Sequence, residues 1–397
     1  MRTAIILTGG VGTRMSPVTK TLNKAVVPVD GQPVLTSIVS QLGRAGVDLV
    51  IVLTGYLSWQ VEFLLAGRRE EMGAELKIQA SPANYSPADR LLNSSKLWSK
   101  ASEIILIYCD NFLNEIDVRA HIENVQSNSV FVQSRSPGNV KVDEIGRVTY
   151  HPNRKKELGW VELGYWRLDA TLLYRYLIEE EDLQWALKRY TQEQRVDAFV
   201  IQEYRSLSTI EKFAGDRKRS RKTILLDRDG VLVASVGKGK YLKKSKEVVF
   251  LHENINLLKN LSQDYNVDYI VVTNQAGIER GLVTVEEVTE VNQFIATRLL
   301  NDGVPLLAFY VCPHHWESRC SCRKPKSGLL EDAMGDFYLS PSECLLIGDR
   351  ESDIQAGQSL GIESFLVSEN TPPAEKMAVF KQCATFLLGA HGKHQKS

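Results

Sequence analysis

Acidic and polar side chains follow several apolar stretches in the C-terminal half of this 397-residue chain. Asp227 and Asp229 come after TILL, Thr273 after DYIVV, and Asp349 after CLLIG. Converging carboxylates repel one another unless a cation joins them, and hard oxygen ligands of this kind suit Mg²⁺. An aspartate can also attack phosphorus directly, while a second one protonates the leaving oxygen and then activates water. The pattern predicts a phosphoryl-transfer site.

The same chemistry has a role for a lysine, a hydroxyl group and a further carboxylate. Lys324 would offset the charge of the nucleophile and the phosphate, and the Thr273 hydroxyl would hold a phosphoryl oxygen. Asp353 follows Asp349 by four residues. Any one of these short motifs, taken alone, usually forms only a turn. Their joint order on four predicted strand ends favours the catalytic interpretation.

The stretch CPHHWESRCSC, residues 312–322, holds three of the six cysteines and two histidines. Cys312-x-His314 and Cys320-x-Cys322 supply four ligands of the kind that bind Zn²⁺ in a tetrahedron. Four protein ligands leave no open position, so the zinc would be structural. His315 is the competing ligand, but adjacent side chains rarely reach one metal. The remaining cysteines are expected to be buried thiols: Cys109, Cys344 and Cys383.

A glycine-rich turn follows the apolar stretch AIIL near the N-terminus. Its backbone N–H groups would let phosphates approach, and a basic side chain adds charge. It fits neither GxGxxG nor a Walker A loop, and such a turn is as often structural as functional. Lys24 comes ten residues after the turn, and Asp110 ends the apolar stretch EIILIY. The residues of the turn that we single out are Gly9, Gly10, Gly12, Thr13 and Arg14.

Composition indicates an ordinary globular protein. The chain is 43% hydrophobic and 24% charged, and 48 basic residues balance 48 acidic ones. A zero net charge gives no support for a nucleic-acid or membrane-surface partner. No apolar run approaches the roughly 20 residues that cross a bilayer, and the first residues do not resemble a signal peptide. We therefore expect a cytoplasmic location, where thiols stay reduced.

Both halves alternate short apolar runs with amphipathic stretches, which predicts parallel sheets covered by helices. The basic, aperiodic stretch AGDRKRSRK separates them. We predict a two-domain α/β chain: an N-terminal domain over 1–213, a linker over 214–222, a second domain over 223–370 and a tail over 371–397. The tail is expected to fray beyond its last apolar run, FLL.

The order DxDGV, TN, RKP, GDxxxD resembles the haloacid dehalogenase superfamily of phosphatases. The resemblance implies a Rossmannoid fold over about 222–370 and assigns Asp227 as the nucleophile and Asp229 as the general acid/base. It makes Thr273 and Lys324 the supporting catalytic residues. It implies Mg²⁺ held by Asp227, Asp229 and Asp349, with Asp353 supporting the metal shell.

DRDGVL, VTNQAGIERG and CPHH…CSCRKPKSG resemble one branch of that superfamily. The branch holds D-glycero-D-manno-heptose-1,7-bisphosphate phosphatases and histidinol phosphatases. The resemblance implies the same Cys₃His zinc site and a phosphorylated heptose that keeps its 1-phosphate. It also implies four substrate contacts: Asn274, Gln275, Arg323 and Arg350.

GGxGTR, the lysine before VPV-xGxPxL and the mid-domain aspartate resemble the sugar-phosphate nucleotidyltransferases over about 1–212. The resemblance implies a Rossmann-like fold, a nucleoside triphosphate, Mg²⁺ at Asp110, charge stabilisation by Arg14 and Lys24, and sugar contacts near Glu162 and Gly164. The chain departs from that family at Asn23, Cys109, the segment 86–94 and Ser206. In the family these positions hold a proline, a glycine, a base-contact loop and a second metal-binding aspartate.

The combined expectation is a bifunctional enzyme of sugar-nucleotide synthesis. The phosphatase would leave a heptose 1-phosphate, and this is the acceptor that a nucleotidyltransferase needs. Two alternatives stay open. One is a phosphatase whose N-terminal half only binds nucleotide or sugar, and the other is a histidinol-phosphate phosphatase.

Overall fold

The computed structural model describes the chain except residues 67, 69–71, 125–127, 218–220, 238 and 389–397. The chain forms two compact units. The first comprises Met1–Gly12, Asn23–Val26 and Pro33–Ser208. The second comprises Thr13–Leu22, Val27–Gln32 and the described residues from Thr209 onwards.

Both units alternate strands and helices, as the sequence predicts. The strands are β1 (Thr3–Leu7), β2 (Pro28–Val29), β3 (Gln32–Pro33), β4 (Leu49–Thr54), β5 (Glu75–Ala80), β6 (Glu103–Tyr108), β7 (Asn111–Phe112), β8 (Ser129–Ser134), β9 (Gly138–Val142), β10 (Val148–Lys155), β11 (Trp160–Asp169), β12 (Asp197–Val200), β13 (Arg205–Ser206), β14 (Lys222–Leu226), β15 (Val267–Asn274), β16 (Leu306–Cys312), β17 (Cys344–Gly348) and β18 (Glu363–Leu366). The helices are α1 (Val18–Thr21), α2 (Val34–Arg44), α3 (Ser58–Ala66), α4 (Pro87–Asn93), α5 (Ser95–Trp98), α6 (Glu115–Asn124), α7 (Ala170–Glu180), α8 (Leu183–Glu193), α9 (Ile210–Arg217), α10 (His252–Asp264), α11 (Val285–Asn301), α12 (Gly328–Phe337), α13 (Glu351–Ser359) and α14 (Pro373–Leu388).

The first unit is built on a mixed sheet with the strand order β10-β9-β11-β6-β1-β4-β5, and β8 joins β11 to β12. Strands β5, β4, β1 and β6 run parallel, and β11 runs antiparallel to β6. Leu7 at the end of β1 is level with Tyr108 at the end of β6. The glycine-rich turn and Asp110 therefore begin at the same edge of the sheet.

The parallel strands of this sheet are apolar because helices cover them on both faces. All six residues of β4 are buried. The core of the first unit includes Ile51 from β4, Leu106 from β6, Trp166 from β11 and Tyr176 from α7. This rigid sheet fixes the strand ends on which the candidate N-terminal site depends.

The second unit is built on a five-stranded parallel sheet with the order β16-β15-β14-β17-β18. The three central strands are apolar and almost wholly buried. Because the strands are parallel, their carboxyl ends meet at one edge. That edge carries Asp227 after β14, Thr273 at the end of β15 and Asp349 after β17.

The segments next to this second sheet differ from the expected linker and tail. Residues 214–217 of the expected linker end α9, and Lys222 begins β14, while 218–220 lie outside the described residues. The packed unit continues past residue 370, because α14 buries Phe380 and Cys383. Buried Lys376 on α14 also forms an ion pair of 2.9 Å with Glu253 on α10. Residues 389–397, where fraying was expected, lie outside the described residues.

Within the described part of the chain, every helix is too short or too polar to cross a lipid bilayer.

Candidate active sites and metal centre

Lys324 lies at the centre of the strand-end cluster in the second unit. Its Nζ is 3.0 Å from Asp227 Oδ1 and 2.6 Å from Asp353 Oδ1, and it donates to the Val272 carbonyl at 2.7 Å. Lys324 is only 3% exposed. Burial lowers the pKa of this lysine, but the charges of Asp227 and Asp353 outweigh burial and raise it. The lysine therefore stays charged beside both carboxylates.

Asp229 points to a different set of partners. Its carboxylate accepts from Arg228 Nη2 at 3.0 Å and from Gln275 Nε2 at 2.8 Å. Arg228 is almost wholly buried, and its Nη1 donates to Asn292 Oδ1 on α11 at 3.0 Å. A guanidinium fixed at both ends holds the Asp229 carboxylate in one orientation. Arg228 and Asn292 were not singled out in the sequence, although a charged residue between two aspartates at a strand end is a visible signal.

Three carboxylates can share one cation at this edge. An oxygen of Asp227, of Asp349 and of Asp353 all lie within 4.8 Å of one another. Asp349 Oδ1 is buried and has no hydrogen-bond partner among the described residues. Burial, followed by the charges of Asp227 and Asp353, raises the pKa of Asp349 to about 7. An orphaned oxygen among crowded carboxylates fits a hard divalent cation such as Mg²⁺.

The other residues expected at the site surround this cluster. Thr273 is 1% exposed, and its hydroxyl accepts from Gln275 Nε2 at 3.0 Å. The Asn274 side chain exchanges two hydrogen bonds with the Lys324 backbone, at 3.1 and 3.2 Å. The Asn274 amide thus positions Lys324. Arg350 is mostly exposed, with its Nε 3.6 Å from Asp349 Oδ2.

A cavity of about 800 Å³ opens over these residues. Its lining includes Arg323 and Arg350, which the sequence analysis expects to contact substrate. Six cationic and three carboxylate side chains line it, so the cavity has an excess of positive charge. The lining residues that the sequence analysis missed include Lys240, Tyr241, Arg280 and Trp316.

The Cys/His cluster closes around one point. His314 Nδ1 lies 3.6 Å from Cys312 Sγ and 3.2 Å from Cys322 Sγ, and Cys312 Sγ lies 3.9 Å from Cys320 Sγ. These separations match the edges of a tetrahedron whose centre lies about 2.0–2.3 Å from each ligand. The adjacent His315 ring stacks on Trp316 with centroids 3.7 Å apart. His314 is therefore the histidine that fits a zinc site.

The cluster is tied to the catalytic edge through the backbone. Cys312 is the last residue of β16, next to β15, and its carbonyl accepts from the Gln275 N–H at 2.8 Å. Arg323 follows Cys322 directly, and its Nη1 donates to the His314 carbonyl at 3.3 Å. A metal held by the four ligands would thus fix the loop that presents Arg323 and Lys324.

In the first unit, Lys24 and Asp110 form an ion pair of 3.5 Å at the edge of the sheet. Asn23, where the related family has proline, is fully buried. Its side chain donates to the carbonyls of Thr8 and Tyr56 and accepts from the Ala25 N–H at 2.8 Å. The substitution therefore has a structural role, because Asn23 anchors the turn that carries Lys24.

Glu162 lies on β11 close to this pair. Its carboxylate accepts from the Gly164 N–H at 2.6 Å, and its own N–H donates to Asn139 Oδ1 at 3.1 Å. Burial, followed by the charge of Asp110, raises the pKa of Glu162 to about 7. Gly164 has φ +75°, and a Cβ there would lie 2.7 Å from the Tyr108 ring, so only glycine fits.

Among the described residues, the first site offers fewer grouped carboxylates for a metal than the site of the second unit does. Ser206, where a second aspartate was expected from the family, pairs through β13 with Asn111 of β7, next to Asp110. A serine hydroxyl is a weaker ligand for a hard cation than a carboxylate. Asp110 Oδ1 is buried without a hydrogen-bond partner among the described residues, which suits one metal contact.

The segment 86–94 supplies an arginine in place of the family's base-contact loop. Arg90 is 5% exposed, and its guanidinium donates to the carbonyls of Gly9, Pro82, Ala83 and Tyr85. A Cβ on Gly9 would lie 2.0 Å from Arg90 Nε. Arg90 therefore fastens the 82–85 turn onto the glycine-rich turn.

The remaining residues of the glycine-rich turn fall in both units. Gly9, Gly10 and Gly12 belong to the first unit, and a Cβ on Gly10 would meet open space. Thr13 and Arg14 begin a short 3₁₀ turn in the stretch that belongs to the second unit. The candidate site residues that belong to the first unit are therefore Gly9, Gly10, Gly12, Lys24, Asp110 and Glu162.

Two family models match the chain. The model of nucleotidyl transferases matches residues 3–144, and the model of haloacid-dehalogenase-like hydrolases matches residues 321–388. Both folds that the sequence analysis expected are thereby confirmed. The chain is an enzyme with a phosphatase half and a nucleotidyltransferase half.

Known proteins resemble each half. A probable D-glycero-D-manno-heptose-1,7-bisphosphate 7-phosphatase of Thermoplasma acidophilum is 36% identical over 37% of this chain and 90% of its own length. The crystal structure of the B. bronchiseptica D,D-heptose 1,7-bisphosphate phosphatase with magnesium and phosphate is 24% identical, covers 41% of this chain and 98% of its own, and has a TM-score of 0.36. The CTP:phosphocholine cytidylyltransferase of Streptococcus pneumoniae is 19% identical, covers 55% of this chain and 98% of its own, and has a TM-score of 0.46. Through its C-terminal half, the chain belongs to the family of D-glycero-D-manno-heptose-1,7-bisphosphate 7-phosphatases.

Proposed function

We propose that the chain makes a nucleotide-activated heptose in two steps. The second unit would remove the 7-phosphate from D-glycero-D-manno-heptose 1,7-bisphosphate, and the first would join the resulting heptose 1-phosphate to a nucleotide. The observation that carries the first step is the contact of buried Lys324 with Asp227 and Asp353 at 3.0 and 2.6 Å, beside Asp349. The family of the C-terminal half supports the choice of sugar.

The phosphatase step needs a nucleophile and a proton donor that point to different atoms. Asp227 would attack phosphorus and form an aspartyl-phosphate, while the bond from phosphorus to the sugar oxygen breaks. Asp229 would give its proton to that leaving oxygen. It would then take a proton from the water that attacks the aspartyl-phosphate, which releases inorganic phosphate and restores Asp227. The contacts of Asp229 with Arg228 and Gln275 keep its carboxylate apart from the one that attacks.

The residues around the nucleophile control charge. Lys324 would offset the negative charge of Asp227 and of the phosphoryl oxygens, and Thr273 would donate to one of these oxygens. Mg²⁺, held by Asp227 and Asp349, would neutralise the remaining charge when it is bound. Because the Asp229 carboxylate accepts hydrogen bonds from Arg228 and Gln275, we assign it to proton transfer and not to metal binding. Zn²⁺ at the Cys₃His cluster would stabilise the loop and take no part in the reaction.

The charge of the cavity favours a bisphosphate over histidinol phosphate. Lys240, Arg280, Arg323 and Arg350 line it, and among the described residues only Arg350 of these four has a carboxylate within 4.0 Å. Unpaired cations attract a second phosphate and repel the ammonium group of histidinol phosphate. We therefore prefer the heptose substrate to the amino-alcohol one.

The transferase step would use the edge of the first sheet. The sugar 1-phosphate would attack the α-phosphorus of a nucleoside triphosphate and release pyrophosphate. Lys24 would stabilise the developing charge, the backbone of Gly9, Gly10 and Gly12 would approach the phosphates, and Asp110 would hold Mg²⁺. A cytoplasmic location belongs to the same proposal, because thiols stay reduced in that compartment and can bind zinc there.

Two assays test the two steps separately. Phosphate release is measured from heptose 1,7-bisphosphate and from histidinol phosphate, and we expect clear preference for the heptose. Preference for histidinol phosphate would refute the proposed substrate. Pyrophosphate release is measured with heptose 1-phosphate and each of the four nucleoside triphosphates. Pyrophosphate release with one of them supports the second step. No release with any of the four would indicate that the first unit only binds nucleotide or sugar.

A further inference from the structure

Two exposed side chains line the phosphatase cavity but take no part in the carboxylate–lysine network. Trp316 lies between the two arms of the Cys/His cluster and is 59% exposed. Arg280 lies beyond the end of β15, and its guanidinium carbon is 5.3 Å from the centre of the Trp316 ring. A large aromatic ring at the surface of a concave, charged cavity is a typical ligand contact.

Glu279 ties the segments that carry these two side chains together. The Glu279 carboxylate accepts from the His315 N–H and from the Ser318 hydroxyl, the latter at 2.6 Å. These are the residues that flank Trp316 on the loop, so the loop is held against the turn that carries Arg280. Stacking of the His315 ring on Trp316 further limits the orientation of the indole. The tryptophan and the arginine are therefore positioned before any ligand binds.

The charge of Arg280 is available to a ligand. Among the residues that the structure describes, no carboxylate lies within 4.0 Å of the Arg280 guanidinium, whose central carbon is 5.3 Å from the centre of the Trp316 ring. Cation–π contact orients a guanidinium but leaves its N–H groups free to donate. An arginine of this kind binds phosphate through two parallel N–H donors.

We propose that Trp316 and Arg280 form a recognition wall for the part of the substrate remote from the phosphate that is removed. The indole would contact the C–H face of a sugar ring, and Arg280 would bind a second phosphate on it. The wall would select cyclic sugar bisphosphates over phosphomonoesters that carry one phosphate. The inference rests on the proposed phosphatase function and adds two residues that determine its specificity.

The test measures binding without turnover. In an Asp227→Asn background, the dissociation constants of heptose 1,7-bisphosphate and heptose 7-phosphate are measured by calorimetry. We expect the bisphosphate to bind about tenfold more tightly, the factor that one charged hydrogen bond supplies. Trp316→Ala and Arg280→Gln should each bring the two constants close together. Trp316→Phe should restore much of the difference, because a phenyl ring can still hold the guanidinium.

A matched control comes from another surface of the chain. Trp185 on α8 is 47% exposed and has Lys188 Nζ 4.3 Å from its ring, so it presents the same kind of pair and does not line the cavity. Trp185→Ala should leave the ratio of the two constants unchanged. Zinc content and melting temperature are measured for each variant. If Trp316→Ala loses zinc, the affinities of Arg280→Gln decide whether the two side chains recognise the second phosphate, because Arg280 lies outside the zinc-binding loop.

Each result separates the inference from the function on which it rests. Equal affinity for the two sugars in the parent, or a preference that survives both substitutions, would refute the recognition wall. Failure of the unsubstituted chain to release phosphate from the bisphosphate would refute the proposed function. A bisphosphate preference that disappears in both variants supports the wall whatever the outcome of the turnover assay.

Discussion

The two candidate sites of this chain both place a lysine beside an aspartate near the carboxyl ends of parallel strands, but the surroundings differ. Lys324 is 3.0 Å from Asp227 and is buried, with Asp353 as a second partner. Lys24 is 3.5 Å from Asp110, and both side chains are partly exposed. The first arrangement is a network that exists before substrate binds, whereas Lys24 in the second forms one ion pair among the described residues.

This difference indicates how much each site depends on its ligands. A preorganised network stabilises the charge of a transition state without reorganisation. A site with one lysine–aspartate ion pair, in which the aspartate is the proposed metal ligand, needs the phosphates of the nucleotide to complete the metal shell. The phosphatase site therefore carries most of its own chemistry, and the nucleotidyltransferase site relies on its substrate.

The largest effect is expected from removal of Asp227, the proposed nucleophile of the phosphatase site. Asp227→Asn should lower phosphate release at least about 10³-fold, since an amide does not attack phosphorus. Pyrophosphate release by the first unit should persist, because Asp227 belongs to the second unit. Inorganic phosphate and pyrophosphate are measured in the same preparation.

Asp264→Asn is the matched control, because Asp264 is an exposed aspartate at the end of α10. It should leave phosphate release intact. Full phosphatase activity in Asp227→Asn would remove this aspartate from the mechanism. Loss of both activities together would contradict the separation of the two sites.

The next effect concerns the zinc ion that we propose for the Cys/His cluster of the second unit. Cys320→Ser should lower zinc from about one atom per chain and lower the melting temperature of the second unit, because structural zinc adds folding free energy. Metal content is measured by mass spectrometry, and unfolding by calorimetry. Ser321→Ala, at an exposed position beside the cluster, is the control and should keep its zinc. Full zinc occupancy in Cys320→Ser would contradict the ligand assignment.

A third substitution examines why the nucleotidyltransferase site departs from its family. Asn23→Ala removes the side chain that bonds to the Thr8 and Tyr56 carbonyls and to the Ala25 N–H. Leaving buried polar groups unpaired should lower the free energy of unfolding by about 1–3 kcal/mol. Denaturant titration measures it. Asn93→Ala, at an exposed position on α4, should change it much less. Equal stability of both variants would show that Asn23 does not anchor the Lys24 turn.

The sequence predicted the second site better than the first for a physical reason. Asp227, Thr273 and Asp349 each lie at or just after the end of a parallel strand, and parallel strands bring their carboxyl ends together without further information. Lys324 lies in the loop between β16 and α12, and the RKP motif indicated it. Arg228, Trp316 and Arg280 escaped because their roles depend on side-chain directions, which spacing along the chain does not specify. The C-terminal helix α14 was missed because the sequence analysis assigned its apolar residues to a tail.

In the first unit the prediction was limited by substitutions that act through packing. Asn23 and Ser206 stand out in the motifs as departures from the related family, but the motifs do not indicate what these two residues do. The structure shows that Asn23 is a buried anchor and that Ser206 keeps the strand pairing beside Asp110 without supplying a carboxylate. Long-range hydrogen bonds of this kind are absent from any local pattern.

The smallest expected effect tests the electrostatics of the first site through stability. The pKa of Glu162 is raised to about 7, mainly by burial and then by Asp110, from an ordinary value of 4.5. The folded chain therefore holds a proton that the unfolded chain releases between about pH 4.5 and pH 7. This contribution to stability is complete below the ordinary pKa of 4.5 and is lost as the pH rises through the raised pKa of about 7.

Glu162→Gln, which mimics the protonated side chain, should remove that part of the pH dependence. Melting temperatures at pH 5 and pH 8 should differ less in Glu162→Gln than in the unsubstituted chain, whereas the exposed control Glu157→Gln should match the unsubstituted chain. An identical pH dependence in all three would show that Glu162 is ionised in the folded state throughout, and would place the first site in a more polar environment than its contacts with Gly164 and Asn139 indicate.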